Sequence, residues 1–307
     1  MNKEQTRTQC PPYLIKGDKI GLISTARKIS IEELQSSIMC IQNWGLEVVL
    51  GENLFNSYHQ YSGSDEERAS DLQHMLDNED IKAIICVRGG YGTVRIIDKI
   101  NFSQFQKKPK WLAGFSDITV LHSQIHKLNI ASLHSTMPVS FSSNTTAAIE
   151  SLKDALFGNN ISIETDSHPL NRNGHAKGQI VGGNLSILYS LIGSPSGLNT
   201  DGKILFIEDL DEYLYHIDRM MMNIKRSGKL SNLKGLIVGG MTKMNDNAIP
   251  FGKDAESIIK DMVSEYNYPV CFGFPAGHIK DNRALKMGVI AELKVDKKSS
   301  LNYEQSL

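Results

Sequence analysis

Short apolar runs alternate with amphipathic stretches along the first 140 residues. "KIGLIST" is a β-branched run, and "SIEELQSSIMCIQNWG" after it repeats Ile31, Leu34, Ile38 and Ile41 at helical spacing, with Gly45 as a stop before the strand-like "LEVVL". "SGSDEERASDLQHML" opens with Ser64 at a cap position and Glu67 three residues on, a capping box. "IKAIICV" is almost continuously apolar, as a parallel strand covered on both faces must be. "RGGYG", another helical stretch, "WLAGF", "DITVLHSQIHKL" and "IASLHS" continue the alternation. Repeated β-α-β units predict a parallel, doubly wound α/β sheet over residues 15–140.

The pattern then breaks. "SFSSNTTAA" and "SHPLNRNGH" are rich in Ser, Thr, Asn and Pro around one helix-like piece, so residues 143–172 read as a linker. The chain divides into an N-terminal domain of residues 1–142 and a C-terminal domain of residues 173–307. In the latter, "GQIVGGNLSILYSLIG", "KILFIED", "LKGLIVGG", "YPVCFGFPAG" and "MGVIAELKV" predict strands, with helices around 212–226 and 253–265. This second domain is expected to be α/β, its last strands antiparallel or barrel-like.

Composition narrows the function classes. The 307 residues carry 33 basic and 34 acidic side chains, a net charge of −1, without a long basic run. Nucleic acid is therefore not the expected partner, because phosphate binding needs clustered Lys and Arg. No apolar stretch reaches the roughly 18 residues of a membrane span, and the polar start "MNKEQTRTQCPP" does not resemble a signal peptide. Cys10, Cys40, Cys86 and Cys271 are scattered, without metal-like spacing. A protein of the reducing cytoplasm is the expectation.

Sites on open parallel sheets form where loops leave the carboxyl ends of strands. "VRGGYG" is one such loop, and Gly89 and Gly90 let backbone N–H groups come close to a ligand, although a plain tight turn uses the same residues. "GFSD" is the second. Ser116 stands between a strand and a helix, where the Asp117 amide can donate to an oxyanion, as at a nucleophile elbow. Ile118 occupies the place of the second elbow glycine, and locally a helix cap is the stronger reading of Ser116. His122 and His126 stand four apart on one helix but lack the Glu of a metalloprotease motif. His134 closes a strand, and His278 lies in a Gly/Pro loop directly after one. Glu208 ends an apolar run as a possible acid, with Asp209 as the competing choice. A serine nucleophile requires such a base and acid.

Together, "GDKIGLIST", "SGSDEERASDL", "VRGGYG", "GFSDIT.LH", "GGNLSIL", "EDLDEYLYHIDRM" and "GHIKDNRALKMG" resemble the LD-carboxypeptidases, the serine peptidases that include muramoyltetrapeptide carboxypeptidases and microcin-C-immunity peptidases. The resemblance implies an N-terminal Rossmann-like domain similar to class I glutamine amidotransferases and a smaller C-terminal domain. It implies Ser116 as nucleophile, Glu208 as acid, His278 as base, and the Asp117 and Gly90 amides as oxyanion hole. It further implies a homodimer, without metal or cofactor, that releases D-alanine from murein tetrapeptides during recycling; a toxin-immunity peptidase acting on aminoacyl-nucleotides is the alternative. Arg88 and Tyr91, beside the glycine turn, are the candidates for substrate binding. The chain departs from the family pattern at Ser135-Thr136, Leu214 and Lys286, positions expected near the cleft.

Overall fold

A computed structural model describes residues 8–304. The capping box predicted at Ser64 forms, and a second one that was not predicted forms at Ser30. Ser30 and Ser64 each accept a hydrogen bond from the third helical amide, while Glu33 and Glu67 reach back to the cap amides. The helix Ile31–Asn43 buries Leu34 and Ile41 and partly buries Ile38, while Ile31, first in the spacing, is exposed.

The first five strands are β1 (Lys19–Ile23), β2 (Glu47–Leu50), β3 (Ile81–Cys86), β4 (Trp111–Gly114) and β5 (Ser132–His134). They lie parallel in the order β5-β4-β3-β1-β2, a doubly wound sheet with helices on both faces. The remaining strands are β6 (Ser162–Asp166), β7 (Gly174–Asn184), β8 (Ile204–Leu210), β9 (Gly235–Thr242), β10 (Val270–Cys271), β11 (Leu285–Met287), β12 (Ile290–Val295) and β13 (Lys298–Tyr303). Seven of these form a mixed sheet in the order β10-β9-β8-β7-β12-β13-β6, parallel from β10 to β7 and antiparallel beyond. Its edges curl towards each other: Thr165 Oγ1 donates to the Gly273 carbonyl, and Arg172 bridges Val270.

β11 leaves its sequence neighbours and pairs antiparallel with β5 at the edge of the first sheet. The span 143–172 carries the helix Thr146–Phe157 and the edge strand β6. One apolar cluster runs from Leu22, Ile85 and Leu133 through Leu285 to Phe206 and Leu293, so the two sheets share a core. Each large side chain buried there contributes about 1.5–3 kcal/mol. The helix Thr119–Lys127 also packs on β7, where Thr119 Oγ1 accepts from the Asn184 amide. Among the described residues no helix is long and apolar enough to cross a membrane.

Candidate active site

β4 delivers Ser116 to the carboxyl edge of the first sheet. Ser116 does not cap the helix that follows. It is the first residue of a 3₁₀ turn (Ser116–Ile118) that leads into Thr119–Lys127; Phe115 holds the cap position of the turn and Ile118 that of the helix. Its φ is +64°, a left-handed conformation that costs a residue with a side chain of order 1 kcal/mol or more. Strain of this kind, placed at a strand-to-helix turn, projects the hydroxyl from the sheet edge as an elbow does. The helix-cap reading of Ser116 is thus replaced by a strained turn.

The glycine turn after β3 packs against this elbow. A Cβ on Gly89 would stand 3.2 Å from Ser116 Cβ, while Gly90 takes φ +113° on the exposed side of the turn. Behind both, Asp117 Oδ2 accepts from the Thr93 amide at 2.8 Å, which ties the elbow to the helix start after the turn. Burial pushes the Asp117 carboxyl above its ordinary pKa.

Glu208 lies in β8, fully buried, at a register irregularity: Ile207 faces Val238 but Asp209 faces Met241. The extra residue in β9 is a β-bulge, a device that re-aims side chains. Glu208 turns to the His278 loop, where its Oε2 accepts from the His278 amide at 3.1 Å and pairs with Nδ1 at 2.6 Å. Asp209 turns the other way and accepts from Asn184 Nδ2 and from the Ser186 amide, both at 2.9 Å. Burial and then the charge of Glu208 push the Asp209 carboxyl up to about 7. Of the two acids weighed, Glu208 therefore meets the histidine, and Asp209 holds the start of the helix Leu185–Ser190.

The His278 loop runs from β10 in the second sheet to β11 in the first, so it is anchored on both. Gly277 takes φ +100°, and a Cβ there would sit 2.6 Å from Glu208 Cβ, so the close approach requires glycine. Thr242 Oγ1 donates to the His278 carbonyl, and Asn282 Oδ1 accepts from the Gly277 amide. Burial opposes charge on the His278 imidazole, but the attraction of Glu208 and its hydrogen bond outweigh burial and leave the pKa above the ordinary histidine value. With Nδ1 committed to Glu208, Nε2 is the nitrogen left for chemistry. The ring stands 4.8 Å from that of Phe115, the residue before Ser116. Ser116 Oγ and His278 are not hydrogen-bonded among the described residues; such contacts are often long before substrate arrives.

The other candidates fall elsewhere. Arg88 donates to the Lys28 carbonyl at 3.1 Å and faces Glu33 at 3.4 Å in an open groove. Tyr91 is exposed, its ring 6.3 Å from Tyr61. His122 is a core residue: Nε2 meets the Gly114 carbonyl at 2.9 Å and Nδ1 meets Ser132 Oγ at 2.8 Å. His134 is fully buried behind the site, between Phe115 and Phe206. Among the described residues no three His, Cys, Asp or Glu side chains are grouped to hold a metal ion.

Two arginines were missed. Arg68, 1% exposed, donates from Nη1 to the Thr25 and Gly92 carbonyls and pairs with Asp65, locking the loop after β1 to the glycine turn. Its position four after the Ser64 cap, pointing inwards from a polar helix, was the available signal. Arg27 lies directly over Gly90.

Residues 20–135 match the LD-carboxypeptidase N-terminal domain, and residues 177–293 match the LD-carboxypeptidase C-terminal domain. A probable murein peptide carboxypeptidase of Bacillus subtilis (strain 168) is 33% identical over 301 residues, covering 95% of this chain and 93% of the relative. The crystal structure of a muramoyltetrapeptide carboxypeptidase from Oxalobacter formigenes superposes with a TM-score of 0.85 at 27% identity, covering 93% of this chain and 98% of that one. The microcin C7 self-immunity protein superposes with a TM-score of 0.86 at 21% identity, covering 97% of this chain and 99% of its own, a likeness of fold. With a glycine turn and a strained serine at the edge of the first sheet, a Glu-His pair carried by the second sheet and by the loop that joins the two, and both domains matched in order, this chain belongs to the LD-carboxypeptidase family.

Proposed function

We propose that this protein is a serine LD-carboxypeptidase that releases the terminal D-alanine from murein tetrapeptides. The observation that carries the reading is the 2.6 Å Glu208–His278 pair, its imidazole 4.8 Å from the ring of Phe115, the residue before a serine held at φ +64°. Ser116 Oγ attacks the scissile carbonyl as Nε2 of His278 takes its proton. The Asp117 and Gly90 amides receive the oxyanion, each such donor typically being worth about 10²–10³ in turnover. His278 then protonates the departing amine, and water, activated by the same imidazole, hydrolyses the acyl-serine. Glu208 holds the Nδ1–H tautomer and stabilises the imidazolium.

The substrate assignment is supported by the names of the Bacillus and Oxalobacter relatives. The microcin-immunity reading is supported by fold alone. The protein is inferred to act in the cytoplasm, on peptides recovered from the cell wall, and as a homodimer; sedimentation of the purified protein tests the last point. The deciding assay measures D-alanine release from diaminopimelate-type and lysine-type tetrapeptides, beside cleavage of an aminoacyl-sulfamoyl nucleoside. Ser116→Ala is expected to abolish D-alanine release. Unchanged release would refute the nucleophile, and cleavage of the nucleoside conjugate alone would transfer the assignment to the toxin substrate.

A further inference from the structure

An enzyme that removes only a terminal residue must read the free carboxylate next to the bond it cuts. From the scissile carbonyl carbon, through nitrogen and Cα, to that carboxylate is roughly 3–4 Å. The cation that reads it must therefore lie within one side chain of the oxyanion turn.

Four arginines surround this turn, and three are committed. Arg68 is buried on two carbonyls and Asp65. Arg95 grips the same carboxylate, through Nε at 3.0 Å and Nη2 at 2.7 Å. Arg88 is turned away towards Glu33 and the Lys28 carbonyl. Arg27 differs from all of them. It follows β1 at the carboxyl edge of the sheet, and its backbone is pinned there: its amide donates to the Gly89 carbonyl at 3.4 Å, and its own carbonyl accepts from Ser24 Oγ at 2.6 Å. Its side chain lies across the turn, with Cδ 2.6 Å and Nε 2.8 Å from where a Gly90 Cβ would be. Arg27 is exposed, and among the described residues its guanidinium has no hydrogen bond or ion pair.

We propose that Arg27 is the carboxylate subsite of this enzyme, binding the terminal carboxylate of the departing residue beside the Gly90 turn. The proposal rests on the serine carboxypeptidase reading and replaces Arg88 in that role. A planar guanidinium offers the paired N–H donors that a carboxylate takes in bidentate fashion. Arg27 lines an open groove together with Ser30 and Phe55, so its side chain is reached from solvent. Gly90 lets the arginine lie flat against the turn, since any larger residue would displace it.

The test compares a tetrapeptide ending in free D-alanine with the same peptide ending in D-alanine amide. Wild-type protein is expected to prefer the acid in kcat/KM by roughly 10- to 100-fold, the weight of a hydrogen-bonded charge pair. Arg27→Gln should lose that preference by slowing cleavage of the acid far more than cleavage of the amide, and Arg27→Lys should restore part of it. Arg27 is exposed, so the thermal midpoint of both variants is expected to match wild type. A preference that survives in Arg27→Gln, or that disappears in Arg88→Gln instead, overturns the subsite while Ser116-dependent cleavage continues. Absence of any D-alanine release by wild type overturns the peptidase reading and the subsite with it.

Discussion

At the scale of single residues, adjacent side chains in β8 have opposite duties. Glu208 and Asp209 are both buried acids, yet Glu208 points at an imidazole and Asp209 at a helix start. The distinction was not legible in "ILFIEDLDEY", because it depends on the bulge opposite, at Gly239 and Gly240, and on the loop that presents His278. The sign of the pH dependence follows from the same pair. Catalysis needs neutral His278, and Glu208 raises its pKa above the ordinary histidine value. Activity in kcat/KM is therefore complete at alkaline pH and falls as pH drops through that raised pKa. Glu208→Gln removes the cause, so the acidic limb of the profile should shift to lower pH while turnover drops about 10³–10⁴-fold. A profile that stays in place would show that Glu208 does not govern the base.

At the scale of elements, the site is built from loops after strands, and something must hold those loops in register. For the loop after β1 and the glycine turn after β3, that element is the helix Asp65–Asp77, through the inward Arg68. Burial lowers the Arg68 pKa, and Asp65 opposes the shift. Arg68→Met would fill similar space but leave the Thr25 and Gly92 carbonyls without a donor. The expected cost is about 2–4 kcal/mol, read as a lower urea midpoint at unchanged slope. Turnover should fall as well, because the Gly90 amide loses its support. A capping box was readable from Ser64 and Glu67, since caps are local. For Arg68 only its place on the helix was readable, and not its partners, which lie 43 and 24 residues away.

At the scale of the whole molecule, buried histidines set the acid limit of stability. Burial pushes His122 and His126 down to about 4, and His134 lies well below its ordinary value. Unfolded, each binds its proton near 6.5. Their contribution is therefore present above about pH 6.5 and lost as pH falls towards 4. Asp209 acts in the opposite direction: raised to about 7, it favours the folded state as pH falls over the same range. Urea titrations at several pH values should show stability declining between pH 6.5 and 4. His122→Gln, which keeps a donor for the Gly114 carbonyl, should flatten the decline by up to about 3 kcal/mol. Asp209→Asn should steepen it. Equal slopes in all three proteins would contradict the assignment.

What the sequence determined by itself was local and repetitive. Apolar runs against amphipathic stretches specified the parallel sheet, since hydrophobic period and strand-covering helices are properties of neighbouring residues. The motifs in order specified the family. Only the tertiary structure decided how the parts meet. β11 crosses back to pair with β5, the His278 loop is consequently held by both sheets, and Ser116 is a strained turn instead of a cap. Residues 143–172, polar enough to read as a linker, carry a helix and an edge strand because β13 offers unpaired backbone to β6. Arg27, an ordinary surface arginine in sequence, stands over the glycine turn because two distant strand ends are neighbours in the sheet. Each of these depends on contacts between segments far apart in the chain, which local periodicity does not encode.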